Sequence, residues 1–180
     1  RSNFFAIGFV SLKNNFCIGV CLELTSVFLN QFFTDFLIVV NFSVENNDLD
    51  IKVTVENTEA CPRYAGVTVK GVTVKESPEW LQNKLRIIGL RPINNVVDIT
   101  NYIVHAFGQP LHCFDADKIE GGEVVIKTMP EGTPFVTLDG VERKLSDRDL
   151  MICDKEKPMC IAGVFGGLDS GSTETTKDVF

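Results

Sequence analysis

The sequence predicts an α+β fold of antiparallel strands with two adjacent helices, and three observations carry that expectation. Apolar and polar residues alternate in short runs, as in IKVTVEN (51–57) and EVVIKTM (123–129), which is the period of half-buried strands. The period becomes helical in two neighbouring stretches, SPEWLQNKLRIIGL (77–90) and NNVVDITNYIVHAF (94–107). The later strands are joined by tight-turn signals, as expected of hairpins rather than of a βαβ series.

The first 42 residues stand apart, with nine of the fourteen phenylalanines and four charged residues. Lys13, Glu23 and Asp35 cut this stretch into apolar pieces of eleven residues or fewer, whereas a membrane span needs about twenty. No basic region and small-residue cleavage site mark it as a signal peptide. Two readings remain: apolar strands or a helix packed on the main domain, or a segment foreign to the protein, such as a translated AT-rich upstream frame. The first residue is Arg1, and Phe180 falls in a strand-like run that begins near Thr176; the chain reads as a piece of something longer.

The main body, 43–180, is well punctuated. After strand 51–57, YAGVTVKGVTVK (64–75) repeats the alternation around Gly71, predicting a bulge or turn between two short strands. In the first helix Ser77 is the expected N-cap and Pro78 the first helical residue. Trp80, Leu81, Leu85 and Ile88 form an apolar stripe, and Gly89 closes the helix in a left-handed conformation. Asn94 or Asn95 caps the second helix, where Val96, Ile99, Ile103 and Phe107 share a face. Gly108 ends it just ahead of Pro110. Beyond strand 123–129, Asp139-Gly140 in FVTLDGVERKL signals a hairpin of the primed-turn type. DLMICDKEKPMCIAGVFGG reads as another hairpin, turning near Asp154 to Lys157.

Composition narrows the function. A length of 180 residues allows one substantial core, or one domain with an extension, and 44% hydrophobic with 23% charged residues is ordinary globular material. A net charge of −7 and a pI near 4.8 oppose a surface built mainly to grip phosphates. Lys70, Lys75, Lys84, Arg86 and Arg91 cluster locally and read as a solvated face. The six cysteines, at positions 17, 21, 61, 113, 153 and 160, lack paired metal-ligand spacing, so no metal site is expected. They read as reduced, mostly buried thiols of a cytosolic protein.

There is no P-loop, dinucleotide fingerprint, HExxH or GxSxG. The glycine-rich GVFGGLDSG (163–171) follows a strand and opens no helix. Its glycines suit close backbone approach to a neighbour or ligand, where missing side chains make room.

CPRYAGVTVKGV (61–72), INNVVDITNYIVHAFGQPLHCFDADKI (93–119) and IAGVFGG (161–167), in this order and spacing, closely resemble the B3/B4 domain of bacterial phenylalanyl-tRNA synthetase beta subunits. The likeness runs from about residue 45 to Phe180. It implies a sandwich-like domain, truncated at its C-terminal end, that edits. In the family this module hydrolyses tyrosine mis-esterified to the phenylalanine tRNA, while a partner alpha subunit in a heterotetramer forms the adenylate with ATP and magnesium. An apolar pocket rejects an added hydroxyl by only about a hundredfold. A second pocket that hydrogen-bonds that hydroxyl can discriminate by on the order of four powers of ten.

The motif positions carried over are Thr100 and Asn101 of TNY, Gln109, Pro110 and His112 of QPLH, and Gly166 and Gly167 of FGG. The resemblance implies that Thr100 and Asn101 orient the ester or its water. Pro110 and the glycines would shape a slot whose amides meet an oxyanion, and His112 would position the terminal adenosine or the water. Without the family match, a mid-helix Thr-Asn pair and a turn histidine are more often structural. His105 matches no motif and reads as a helix-surface residue, and Cys113 as a small buried hydrophobe. The family places an acidic residue that recognises the tyrosine hydroxyl just beyond Phe180, so the isolated chain is expected to be inactive. The competing expectation is a structural domain that binds RNA or protein.

Overall fold

The computed structural model describes residues 48–180 and the backbone of two strands, Phe9–Leu12 (β1) and Asn15–Ile18 (β2), which pair antiparallel with Phe9 opposite Ile18. The expectations for the rest of 1–42 lie outside the described residues. The chain divides into two units: Arg1–Asp48 with Arg63–Ala65, and Leu49–Pro62 with Gly66–Phe180. All remaining elements belong to the second unit.

Its centre is a five-stranded sheet in the order β3–β4–β7–β8–β9, formed by Lys52–Val55 (β3), Glu123–Thr128 (β4), Leu150–Cys153 (β7), Pro158–Ile161 (β8) and Phe165–Gly166 (β9). Four of these strands run antiparallel as expected, but β3 joins β4 in parallel, with Val53 opposite Val124. The long excursion through both helices between β3 and β4 permits that parallel return. β4 is buried on both faces over Glu123–Ile126, which explains its apolar run VVI. Val125, Met151 and Cys153 pack with Phe135 and Leu145 on one face. The hairpin β7–β8 turns at Asp154–Lys157, where the buried Asp154 carboxylate accepts the amides of Glu156 at 2.8 Å and Lys157 at 2.7 Å.

Pro134–Val136 (β5) and Glu142–Lys144 (β6) form a separate hairpin. The Asp139-Gly140 turn is not the two-residue primed type. Gly140 donates to Thr137 O at 2.8 Å, Thr137 donates to Val141 O at 3.1 Å, and Gly140 has φ +76°. That is a three-residue loop closed by a left-handed glycine. Residues 64–75 do not form two strands either. Val69 exchanges bonds with Val179 and Val72 N–H reaches Lys177 O, while Gly71 at φ +71° turns the backbone out of the extended path between them. Nor does a strand begin at Thr176, whose amide closes a turn on Thr173 O.

Helix α1 spans Glu79–Ile87 and α2 spans Asn95–Phe107. Pro78, not Ser77, is the N-cap of α1; the Ser77 hydroxyl donates instead to Asp98 of α2 at 2.5 Å. At the other end Leu90 N–H bonds Leu85 O and Gly89 N–H bonds Arg86 O, with Gly89 at φ +83°, a Schellman closure. Only Leu81 and Leu85 of the expected stripe are buried. Trp80 is exposed, its ring edge-on to Tyr102 at 5.8 Å, and Ile88 lies past the last turn. Asn94 caps α2 by accepting from Val96 and Val97 amides. That helix buries Val96 and Asp98, while Ile99 and Phe107 are about half exposed. α2 therefore buries only part of its expected stripe, and the Ser77–Asp98 bond ties the Val96–Asp98 side of the helix to the start of α1.

A charge cluster spans the β3–β4 pair. Glu123 accepts from Thr54 Oγ1 at 2.5 Å and pairs with Lys52 at 2.8 Å and Lys155 at 3.6 Å. The hydrogen bonds from Lys52 and then Thr54 pull its carboxyl down to about 2. With the folded value depressed, this group stabilises the fold above the unfolded value and stops doing so as pH falls toward about 2. Glu123→Gln is therefore expected to lower the urea midpoint at neutral pH and to match wild type in strong acid; equal deficits at both would contradict it.

Candidate functional site

The stretch GQPLHCFD is fixed at both ends. Gly108, at φ +71°, donates to Val104 O at 2.9 Å and stops α2. Phe114 exchanges backbone bonds with Phe180 at 2.9 and 3.0 Å, and Asp115 N–H reaches Ser170 O. The buried Asp115 carboxylate accepts the Thr176 hydroxyl at 2.6 Å. His112 stands two residues ahead of this anchored corner.

Its imidazole is engaged on both sides. Nε2 accepts the Gly163 amide at 2.8 Å, and Nδ1 lies 3.2 Å from Cys160 Sγ, which donates to Ile161 O at 3.2 Å. An Nε2 that accepts cannot carry a proton, so the ring hydrogen of neutral His112 sits on Nδ1 and points at sulfur. Burial lowers the His112 pKa and pushes the Cys160 thiol up to about 12, so both groups are neutral.

The Gly163 bond ties His112 to the turn between β8 and β9, where Gly163 has φ +73° and Val164 closes the turn by donating to Ile161 O. β9 then returns with Gly166 opposite Cys160, and Gly167 donates to Met159 O at 2.7 Å. A Cβ on Gly167 would lie 2.7 Å from that same carbonyl and 3.0 Å from the Phe135 ring; one on Gly166 would meet only the tip of Leu138, at 2.9 Å. The glycines thus permit close backbone approach within the sheet.

Three of the expected residues, His112, Gly166 and Gly167, are gathered around β8, with Cys160 between His112 and Gly166. The others lie on α2 or in the segment just after it. Thr100 Oγ1 donates back to Val97 O at 2.8 Å, and Asn101 is half-buried beside it on α2. The Gln109 amide donates to Pro110 O at 3.3 Å, and Pro110 is half-buried. His105 is exposed. Cys113 is half-buried rather than fully so, its thiol raised to about 11 by burial and then by Asp115. Sequence reasoning missed Cys160 and Gly163 as partners of His112. The cysteine gives no signal beyond its place in an apolar strand.

A cleft of about 420 Å³ lies elsewhere, lined among others by Glu76, Gln82, Arg86, Arg91 and Asp98. It contains none of the expected residues. Much of its wall is already paired internally: Gln82 Nε2 donates to Glu76 and Ser77 O, and Arg86 donates to Gln82 and Asn83. Lys70, Lys75, Lys84, Arg86 and Arg91 are all exposed. Among the described residues no group of three or more His, Cys, Asp or Glu gathers as metal ligands would, and no helix is long and apolar enough to cross a membrane.

Comparisons with known proteins give this geometry a context. A phenylalanine–tRNA ligase beta subunit of Bacteroides fragilis is 89% identical over 139 residues, covering 77% of this chain and 17% of that protein. Its counterpart in Aquifex aeolicus is 50% identical over 121 residues, covering 67% of this chain and 16% of that protein. The fold is similar to a crystal structure of an N-terminal fragment of the phenylalanyl-tRNA synthetase beta subunit from Pyrococcus horikoshii. The TM-score is 0.53 at 18% identity, over 77% of this chain and 44% of that one. The chain thus spans about a sixth of the length of its curated relatives. The family model for the B3/4 domain matches residues 60–180, which takes in His112, its cysteine partner and the glycine turn alike, and the chain belongs to the B3/4 domain family.

Proposed function

We propose that this chain is part of the beta subunit of a phenylalanine–tRNA ligase, and that its B3/4 domain hydrolyses tyrosine wrongly esterified to the phenylalanine tRNA. One observation carries the reading: the QPLH histidine is hydrogen-bonded to the glycine turn that feeds the FGG strand. Two motifs about fifty residues apart in sequence thereby form one wall. In this proposal Gly163, Gly166 and Gly167 supply the backbone surface of the slot, and Thr100 and Asn101 close it from α2. His112, by holding the Gly163 turn through Nε2, shapes the wall against which the ester or the terminal adenosine is positioned. With both nitrogens engaged, positioning suits it better than proton abstraction. An alpha subunit completes the heterotetramer and forms the adenylate with ATP and magnesium, in the cytosol.

A second reading rests on the same contacts. His112 is fully hydrogen-bonded within the domain and Thr100 bonds its own helix, as residues of a purely structural or binding module would be. Deacylation of tyrosyl-tRNA bearing the phenylalanine acceptor by the complete enzyme separates the two. Editing predicts that His112→Ala and Asn101→Ala each slow hydrolysis by at least about tenfold with aminoacylation intact. Wild-type rates in both variants would leave the structural reading standing.

A further inference from the structure

We propose that Cys160 is a positioning residue for His112, holding the imidazole in the tautomer whose Nε2 is free of hydrogen. The inference rests on the editing reading and deepens it. Sγ lies 3.2 Å from Nδ1 and its own hydrogen is directed to Ile161 O at 3.2 Å, which leaves sulfur as the acceptor of Nδ1–H. On the opposite side of the ring Nε2 accepts from Gly163 N–H at 2.8 Å. The polarity of the whole chain, from Gly163 N–H through the ring and the thiol to Ile161 O, is consistent in only one direction.

Reversing the tautomer would set Nε2–H against Gly163 N–H, two donors face to face, and would detach His112 from the turn that leads into Gly166 and Gly167. The Nε2 lone pair is taken up by Gly163, so the tautomer acts on the reaction through the glycine wall that the bond holds in place. Cys160 is fully buried with its thiol held protonated, so it serves as a fixed neutral relay and not as a nucleophile. Its backbone is in register with Gly166, so the residue that orients the histidine also belongs to the strand that places the glycine.

The test uses the complete heterotetramer with Cys160→Val, Cys160→Ala, Cys160→Ser and His112→Ala, aminoacylation serving as the check of assembly. Valine fills the site without an acceptor, alanine removes the acceptor without crowding, and serine restores one. Loss of one neutral hydrogen bond should lower the deacylation kcat by about tenfold in the valine and alanine variants. KM for the aminoacyl-tRNA should stay unchanged. Serine should keep the wild-type rate to within about threefold and the same acid limb of the pH profile. Hydrogen exchange at the Gly163 amide should quicken in the valine and alanine variants and not in the serine one. Wild-type kcat and exchange in the first two, or a serine variant as impaired as valine, overturns the proposal. If His112→Ala deacylates normally, the editing reading fails by itself, and Gly163 exchange alone then decides whether Cys160 sets the tautomer.

Discussion

Gly167→Ala should destabilise the domain by about 3 kcal/mol, whereas Gly166→Ala should cost less than about 1 kcal/mol. The two glycines are adjacent, and the difference arises from what each faces. A methyl group on Gly167 would sit 2.7 Å from Met159 O, a backbone atom of the neighbouring strand, and 3.0 Å from the buried Phe135 ring. Neither can retreat without disturbing β8 or the core packed on it. The same carbonyl accepts the Gly167 amide at 2.7 Å, so relieving the clash also weakens that bond. On Gly166 the obstacle is the end of the exposed Leu138 side chain, which can change rotamer. Urea unfolding followed by circular dichroism measures both; equal costs would show that the strand relaxes more freely than its packing implies. Because residues 166 and 167 differ in structural cost, an editing defect in Gly166→Ala would speak more directly about chemistry than the same defect in Gly167→Ala.

The legible parts of this fold are those where local chemistry decides. Asn94 had no competing partner and caps α2; the left-handed glycines 89 and 108 end helices because no other residue takes that conformation cheaply. The turn at Asp154–Lys157 was legible because an aspartate satisfies the amides two and three residues ahead of it. Errors fell where a distant residue outbids the local rule. Ser77 is a fine N-cap by type, yet a buried carboxylate 21 residues on takes its hydroxyl. The alternation in 64–75 is sound, but its one strand-like bridge is Val69 with Val179, a pairing that no local pattern encodes. In the site, the family motifs pointed to His112 and the glycines. The link between them runs through the Cys160 side chain and the Gly163 amide, and no spacing rule records a contact made across 48 or 51 residues.

Asp98 ties the two helices together. It is fully buried inside the VDITNY motif, accepting the Ser77 hydroxyl at 2.5 Å on one oxygen and the Ile93 amide at 2.9 Å on the other. Asp98→Ala removes both acceptors at once and leaves two donors facing a small cavity, an expected loss of about 3–4 kcal/mol. Asp98→Asn keeps the shape and one acceptor, and the Ser77 hydroxyl can rotate to receive the new amide, so about 1–2 kcal/mol is expected. Ser77→Ala should cost about as much as the asparagine change. Added to Asp98→Ala it should cost almost nothing more, because the donor it removes is already orphaned. Strict additivity of the two substitutions in urea unfolding would refute the coupling. Thr100 and Asn101 sit two and three residues further along the same helix, so a change that lets α2 rotate also displaces them. On the proposed editing function, Asp98→Ala should therefore slow deacylation by the complete enzyme even though its carboxylate lies outside the wall formed by His112 and the glycine turn.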